Sequence, residues 1–404
     1  MTESSNSTSE PARAGSLEKK FREWCEAADI RILVDGENFA APRPWDVVVH
    51  DGRLFGRILS HGTLGLGEAY MDGWWDCDRM DEMLFRAIRS GMERHISNNL
   101  SGWLHEAAFR LLNLQSRSRA FMVAKHHYDA DPALFRAMLD PFMQYSCGYW
   151  EHADNLEDAQ IAKMELICRK LELKPGMSVL DVGCGWGGLS RYMAEHYQVK
   201  VTGITVSEEQ LIVDREKAGS LPVEYMLLDY RDLPGQSTFC TRSGAGNGTW
   251  DRVVSVGMFE HVGRKNYRVF LDMIRKCLRP DGLFLLHSIG SNGGGCGADP
   301  WLTRYIFPNG ALPSPSSLAK ALEGVFVLED WHNFGADYDR TLMAWKDRFE
   351  KGREAGAFVC DERLRRMFNY YLSSCAAAFR ARTIQLWQLM LSPKGVPGGY
   401  RRPN

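Results

Sequence analysis

The chain has 404 residues, 45% of them hydrophobic and 25% charged, and a formal net charge of −2. This is a globular composition at a length suited to two or three domains, which excludes general disorder. It also excludes blanket attraction to nucleic acid, because any basic patch must be local in a nearly neutral chain, and no nucleic-acid partner is expected. The ten cysteines include no C-x-x-C pair, which argues against a zinc site or disulfide framework and for a reducing compartment. No apolar run reaches the ~18 residues of a membrane span, and no signal-peptide core follows Met1. The expectation is a cytoplasmic protein, with binding to a membrane surface left open.

Residues 1–16 are rich in Ser, Thr, Glu and Pro without apolar period, which predicts a disordered tail. Residues 17–113 read as a small mixed α+β domain. Phe21, Trp24, Cys25 and Ala28 recur at helical spacing. Residues 45–50 and 54–59 predict short strands around the turn Asp51-Gly52. Residues 62–78, heavy in Gly and aromatics, predict a loop. Residues 114–130 form a basic linker that includes Arg117, Arg119 and Lys125. Such a run is either a solvated helix face or a patch for anionic lipid headgroups, where each basic residue contributes ~1 kcal/mol.

From residue 131 to 404 the pattern alternates strand and helix, which predicts a parallel sheet covered on both faces. Strands are expected at 177–183, 199–205, 223–228, 252–258 and 282–290, with a last one at 383–392. Helices are expected at 187–197 and 265–278, the latter stopped by residues 279–282. Another follows Ser207 to Gly219, with Gln210 completing a capping box. Leu364, Met367, Phe368, Tyr371, Leu372, Cys375 and Phe379 mark one apolar helix face. Residues 234–249, rich in Gly, Ser and Thr, interrupt the alternation as a surface loop.

The strongest chemical signal is LDVGCGWGG at 180–188, where the first strand of this part turns into its first helix. Open α/β sheets bind ligands at that edge, and a helix N-terminus offers free N–H groups. Gly183, Gly185 and Gly188 satisfy the dinucleotide pattern G-x-G-x-x-G, a weak signal alone. Asp181 precedes the glycines, where a carboxylate can meet a positively charged amino-acid group. The second strand ends in Thr205 rather than the acidic residue a ribose would need. The third ends in Asp229-Tyr230-Arg231-Asp232, suited to an adenine edge. The pattern resembles S-adenosylmethionine-dependent methyltransferases. A second constellation, VGMFEHVG at 256–263, lies at the ligand edge of the fourth strand. There Glu260 and His261 are either functional or simply favoured at a helix start. His287 in an apolar strand is either catalytic or a satisfied core histidine. Cys147 is either reactive or a small hydrophobe, and Tyr338 is equally open.

Taken together, MQYSCGYW, LDVGCGWGGLS, VGMFEHVG, DPWLTRYIFPNG, EDWHNFGADYDRTLMAW and AFRARTIQLWQ resemble the bacterial cyclopropane-fatty-acyl-phospholipid synthases. GTLGLGEAYMDGWWDCD and NLQSRSRA extend the resemblance into the N-terminal part. The C-terminal part is more distantly similar to the mycolic-acid cyclopropane synthases. The resemblance implies a Rossmann-like class I methyltransferase sheet in an S-adenosylmethionine-dependent catalytic domain at 131–404. It implies transfer of the sulfonium methyl to a cis double bond of a phospholipid acyl chain, leaving a carbocation that is deprotonated and closes to a cyclopropane ring. A bound bicarbonate ion is implied as the base, held by Cys147, Glu260, His287, the backbone of Ile289, and Tyr338. For S-adenosylmethionine it implies Tyr145, Ser146, Gly183, Gly185, Thr205, Gln210, Asp229 and Tyr230, beside the Asp181 read above. The resemblance also suggests a homodimer; because the substrate is then a bilayer lipid, residues 17–113 and the basic linker are expected to supply dimer contacts and membrane docking, with the protein peripheral on the inner membrane face. A methyltransferase leaving a methyl branch or a methylene group is the alternative, since only the fate of one proton differs. The family element HYDLGND reads HYDADPA here (127–133), and residues 234–249 lengthen a short family loop.

Overall fold

The computed structural model describes residues 10–36, 41–92, 132–235, 249–293 and 299–403, with only the backbone given for 10–17, 234 and 235. The basic linker, most of the 234–249 loop and positions 127–131 of the HYDADPA element lie outside the described residues. The chain divides into two compact units. One comprises Met1–Leu111, Asp299–Pro308 and Cys360–Ala381; the other comprises Leu112–Ala298, Asn309–Val359 and Arg382–Asn404. The first unit therefore draws two segments from the region that reads in sequence as one continuous domain over 131–404.

In the first unit, strands β1 (Ile32–Val34), β2 (Val47–Val49) and β3 (Trp75–Asp76) form a small sheet, parallel between β1 and β2 and antiparallel between β2 and β3. Helices Glu10–Ala27, Arg53–Met71, Met80–Arg89, Pro300–Tyr305 and Glu362–Arg380 accompany it. Three expectations are corrected here. The helix Glu10–Ala27 takes in the last seven residues of the segment read as a disordered tail. Residues 54–59 are helical rather than a strand, because Leu54, Phe55 and Ile58 fall on one buried helix face. The Gly-rich stretch continues that helix to Met71 with a kink at Gly62 rather than forming a loop. Its glycines serve close packing: a Cβ on Gly67 would stand 2.5 Å from the Trp301 ring. The helix Glu362–Arg380 buries Phe368, Tyr371, Leu372 and Phe379, as its apolar spacing predicted.

In the second unit a seven-stranded sheet runs in the order β6-β5-β4-β7-β8-β10-β9. Its strands are β4 (Ser178–Val182), β5 (Lys200–Thr205), β6 (Val223–Leu227), β7 (Trp250–Val256), β8 (Leu278–Ser291), β9 (Val327–Asn333) and β10 (Ile384–Ser392). β4 through β8 pair in parallel, while β10 is antiparallel to both β8 and β9. Period-two alternation sorts the side chains onto two faces. Leu180, Val182, Phe284, Leu286, Leu389 and Leu391 pack with the helix Tyr267–Cys277 and with Leu318 and Leu322. Val179, Val201, Leu283, Leu285 and Met390 pack instead with the helices Leu156–Lys170 and Gly188–Tyr197.

Local chemistry fixes the helix starts. The Asn155 side chain accepts from the Asp158 amide, Asp361 from the Leu364 amide, and Ser207 from the Gln210 amide. The capping box expected at Ser207 is not closed, because the Gln210 carbonyl oxygen accepts from the Thr205 hydroxyl at 2.7 Å instead. β8 begins at Leu278 rather than at Gly282. β9 carried no strand signal: its polar residues Glu329, Asp330, His332 and Asn333 sit on an edge strand that is only partly buried.

Candidate active site

In a parallel sheet the strand ends collect at one edge, and the cofactor candidates lie there. Asp181 is the penultimate residue of β4, just before the loop that carries Gly183 and Gly185; Thr205 ends β5; Gln210 is in the first turn after β5; Asp229 and Tyr230 follow β6. Gly185 has φ 58°, and a Cβ there would meet nothing within 4 Å, so the loop takes left-handed backbone where it opens onto free space. Asp181 is buried and accepts from the Ser190 hydroxyl at 2.7 Å; burial pushes its carboxyl up to about 6. Gln210 is buried with its carbonyl oxygen engaged by Thr205 and its Nε2 without a partner among the described residues. That leaves an amide donor at the cofactor edge. The Asp229 carboxylate takes the Arg231 guanidinium at 2.8 Å and the Arg231 amide at 2.9 Å, while that guanidinium lies 4.7 Å over the Tyr230 ring.

Tyr145 and Ser146 come from the segment before the helix Leu156–Lys170. The Tyr145 ring packs between Phe135 at 5.4 Å and Trp345 at 5.2 Å. The Ser146 hydroxyl accepts from the Lys163 ammonium at 2.9 Å. Lys163 is fully buried and also donates to the Gln144 carbonyl oxygen; loss of solvent draws it down to about 8.

The base-site candidates come from four places in the chain. β7 ends next to His287, whose carbonyl accepts from the Gly257 amide at 3.0 Å. The short turn Phe259–His261 then swings Glu260 back to β8, where its Oε1 accepts from the Ile289 amide at 2.7 Å. Burial pushes the Glu260 carboxyl up to about 7 against the opposing pull of the Ile289 amide, its own amide and the Ser288 hydroxyl. Its Oε2 has no partner among the described residues. His287 is buried, accepts at Nδ1 from Gln388 Nε2 at 3.2 Å, and leaves Nε2 without a partner among the described residues. Burial, then the cations Lys163 and Lys170, push its pKa well down, so the ring is neutral. The Phe334 ring stands 5.9 Å from the His287 ring, just before the helix Ala336–Glu354 that carries Tyr338. Thr341 on that helix reaches Cys147 at 3.9 Å. The Cys147 thiol donates to the Gly148 carbonyl at 3.1 Å, and burial raises its pKa well above the usual range, so it is a thiol and not a thiolate. The contacts thus join Glu260 with Ile289 and bring Cys147 against the helix that carries Tyr338.

This architecture has relatives. Residues 115–389 match the family described as mycolic acid cyclopropane synthetase. The chain is 52% identical over 378 residues to the cyclopropane-fatty-acyl-phospholipid synthase of Escherichia coli (strain K12), covering 94% of this chain and 95% of that one. It belongs to that family. A probable fatty acid methyltransferase of Pseudomonas putida is 33% identical over 92% of this chain and 93% of its own length. The crystal structure of mycolic acid cyclopropane synthase CmaA1 complexed with SAH and CTAB superposes with a TM-score of 0.58 at 30% identity, covering 67% of this chain and 97% of that one. The sheet is therefore the Rossmann-like sheet of a class I methyltransferase, and the chain is an enzyme of the cyclopropane-synthase family.

Several residues of this cyclopropane-synthase site escaped the sequence reading. Lys163 and Lys170 lie seven residues apart on the buried face of their helix, beside the apolar Met164, Ile167 and Cys168. That spacing was visible, but lysine on a helix is ordinarily read as solvated. Gln388 sits in the apolar β10 and gave the same signal as His287, a polar residue in an apolar strand. Thr341 gave no signal; only the fold brings it to Cys147 and to the Trp150 indole at 2.8 Å.

Proposed function

We propose that this enzyme transfers the methyl carbon of S-adenosylmethionine to a cis double bond of a phospholipid acyl chain and closes a cyclopropane ring. The observation that carries the reading is a pair of buried polar atoms in a family member of this kind: Glu260 Oε2 and His287 Nε2, each without a partner among the described residues. Buried polar atoms are normally satisfied, and each exception needs an explanation; at a strand-end edge a bound group supplies one. Gln210 Nε2, after β5 at the same strand-end edge, supports cofactor binding in the same way.

An alkene is a weak nucleophile, so the protein must align it with the sulfonium methyl and exclude water. The π pair forms the new C–C bond as the S–CH₃ pair leaves with sulfur. The methyl then loses a proton, and its C–H pair closes the ring on the cationic carbon. A base is needed that is not a carbon nucleophile. The residues fit a small oxyanion: a carboxyl held up near neutrality can donate a hydrogen bond, and a neutral imidazole can offer another. Bicarbonate, when held by Glu260, His287, the Ile289 backbone, Cys147 and Tyr338, would supply an oxygen base there. Glu260 positions that base through its tie to the Ile289 amide, and Cys147 in its thiol form adds no competing negative charge.

The substrate being a bilayer lipid, residues 17–113 and the basic linker are proposed as the docking and dimer elements. Neutralising Arg117, Arg119 and Lys125 should weaken binding to anionic vesicles, and rising salt should do the same. Undiminished binding would remove the linker from that role. The reaction is tested with S-adenosylmethionine carrying a fully deuterated methyl group and a cis-unsaturated phospholipid. Ring closure discards one deuterium, so mass spectrometry should find a CD₂ bridge. A retained CD₃ group would establish methyl branching instead.

A further inference from the structure

His287 does not stand alone in its strand. β8, β10 and β9 run side by side, and His287, Gln388 and His332 are direct cross-strand partners in that row. Side chains at directly paired positions share a face of the sheet. It is the face packed by the helix Leu156–Lys170, since Leu285 and Met390, two residues from His287 and Gln388, belong to that cluster. The last residue of that helix, Lys170, is buried and brings its ammonium 2.8 Å from Gln388 Oε1 and 2.9 Å from His332 Nδ1.

Burial draws Lys170 down to about 7; in its ammonium form it has three donors and no acceptor, and in either form its Nζ donates to Gln388 Oε1 here. Gln388 must therefore present its carbonyl oxygen to Lys170, which turns its amide nitrogen toward His287 Nδ1 at 3.2 Å. An amide nitrogen only donates, so Nδ1 must accept. A neutral imidazole with an accepting Nδ1 carries its hydrogen on Nε2, the atom that has no partner among the described residues.

We propose that Lys170 and Gln388 are positioning residues that fix His287 in the Nε2–H tautomer, making its free edge a hydrogen-bond donor to the oxyanion base and not itself the base. This rests on the ring-closing reading above for the identity of what Nε2 meets, while the tautomer is a property of the protein alone. Gln388 is the reversing element. It converts a cation, which would repel a protonated ring, into a donor that selects one neutral form.

The test is nitrogen-15 NMR of the full-length protein labelled at histidine, without substrate, with the His287 signals assigned by their loss in His287→Asn. The wild type should show a protonated Nε2 and an unprotonated Nδ1. Gln388→Glu puts an acceptor on both sides, since a carboxylate accepts from Lys170 and can only accept from His287. It should move the hydrogen to Nδ1 or protonate the ring. Turnover should fall by roughly 10²-fold or more, the range for misplacing a proton-handling group, with little change in KM for S-adenosylmethionine. Lys170→Met should broaden the tautomer distribution and lower kcat less than Gln388→Glu. A wild-type His287 with its hydrogen on Nδ1 would overturn the proposal even if no variant folded, as would an unchanged tautomer in a folded Gln388→Glu. The deuterium experiment fails or succeeds independently: a retained CD₃ would end the ring-closing reading and leave the tautomer measurement standing.

Discussion

At the scale of single residues, the site depends on groups kept out of their ordinary protonation states. Glu260 binds its proton more tightly in the folded chain, about 7 against an ordinary 4.5. Between those values the folded state holds a proton that the unfolded state has released, so folding stability falls as pH rises through that window. Glu260→Gln removes the titration. The wild type should lose stability relative to the variant between pH 5 and pH 8, on the order of 3 kcal/mol for a shift of this size. Urea unfolding of both proteins at the two pH values checks this, and a pH-independent difference would mean the carboxyl titrates normally. The same substitution should cost roughly 10²-fold or more in turnover. Glu260 and His287 were visible in the sequence as polar residues at a strand end and within an apolar strand, yet their roles stayed open. What decides a pKa is the solvent removed and the donors and charges brought near by distant segments, and no local pattern encodes that. Cys147 shows this: its thiol is held by Gly148 next to it and by Thr341 nearly two hundred residues on.

At the scale of elements, legibility followed how far local rules could act unopposed. The strands of the large sheet were readable because both of their faces are buried, so near-continuous apolar runs mark them. β9 was not, since an edge strand with polar residues gives no such run. The helix Arg53–Met71 was misread because glycine is ordinarily a helix breaker, whereas here small size permits contact with Trp301. Gly67→Ala should therefore lower stability by ~1–3 kcal/mol through overpacking, although alanine favours a helix. A thermal melt that shows stabilisation would mean that Trp301 can give way. The Asp361→Ala variant should cost about 1 kcal/mol by freeing the Leu364 amide at the helix start. Shortening residues 234–249 to a few residues should keep turnover within a few-fold, because loop entropy changes only slowly with length. Collapse of turnover in a folded deletion variant would show that the loop contributes to the site.

At the scale of the whole molecule, chain order is a poor guide to what can be separated. A reading in sequence order cuts near residue 130 and leaves an intact catalytic part. The compact units do not follow that cut, because Asp299–Pro308 and Cys360–Ala381 group with Met1–Leu111. Within that unit Arg380 pairs at 2.9 Å with the fully buried Asp81, Asn369 donates to the Tyr70 hydroxyl at 2.6 Å, and the Trp301 ring lies 4.6 Å from Tyr370. Removing the N-terminal residues would uncover the apolar face of Glu362–Arg380, at about 1.5–3 kcal/mol for each large side chain returned to water. It would also strip Asp81 from Arg380, although that loss matters less once the guanidinium is solvated. A chain beginning at residue 132 should thus aggregate rather than yield a dispersed catalytic fragment, even though a shorter relative is matched over 97% of its length by 67% of this chain. Size-exclusion chromatography decides it, with a parallel sample in which residues 1–111 are co-expressed as a separate chain. Recovery of dispersed protein only in the parallel sample is the expected result. A monodisperse, cooperatively melting fragment on its own would show that the helix Glu362–Arg380 finds other cover without the N-terminal residues.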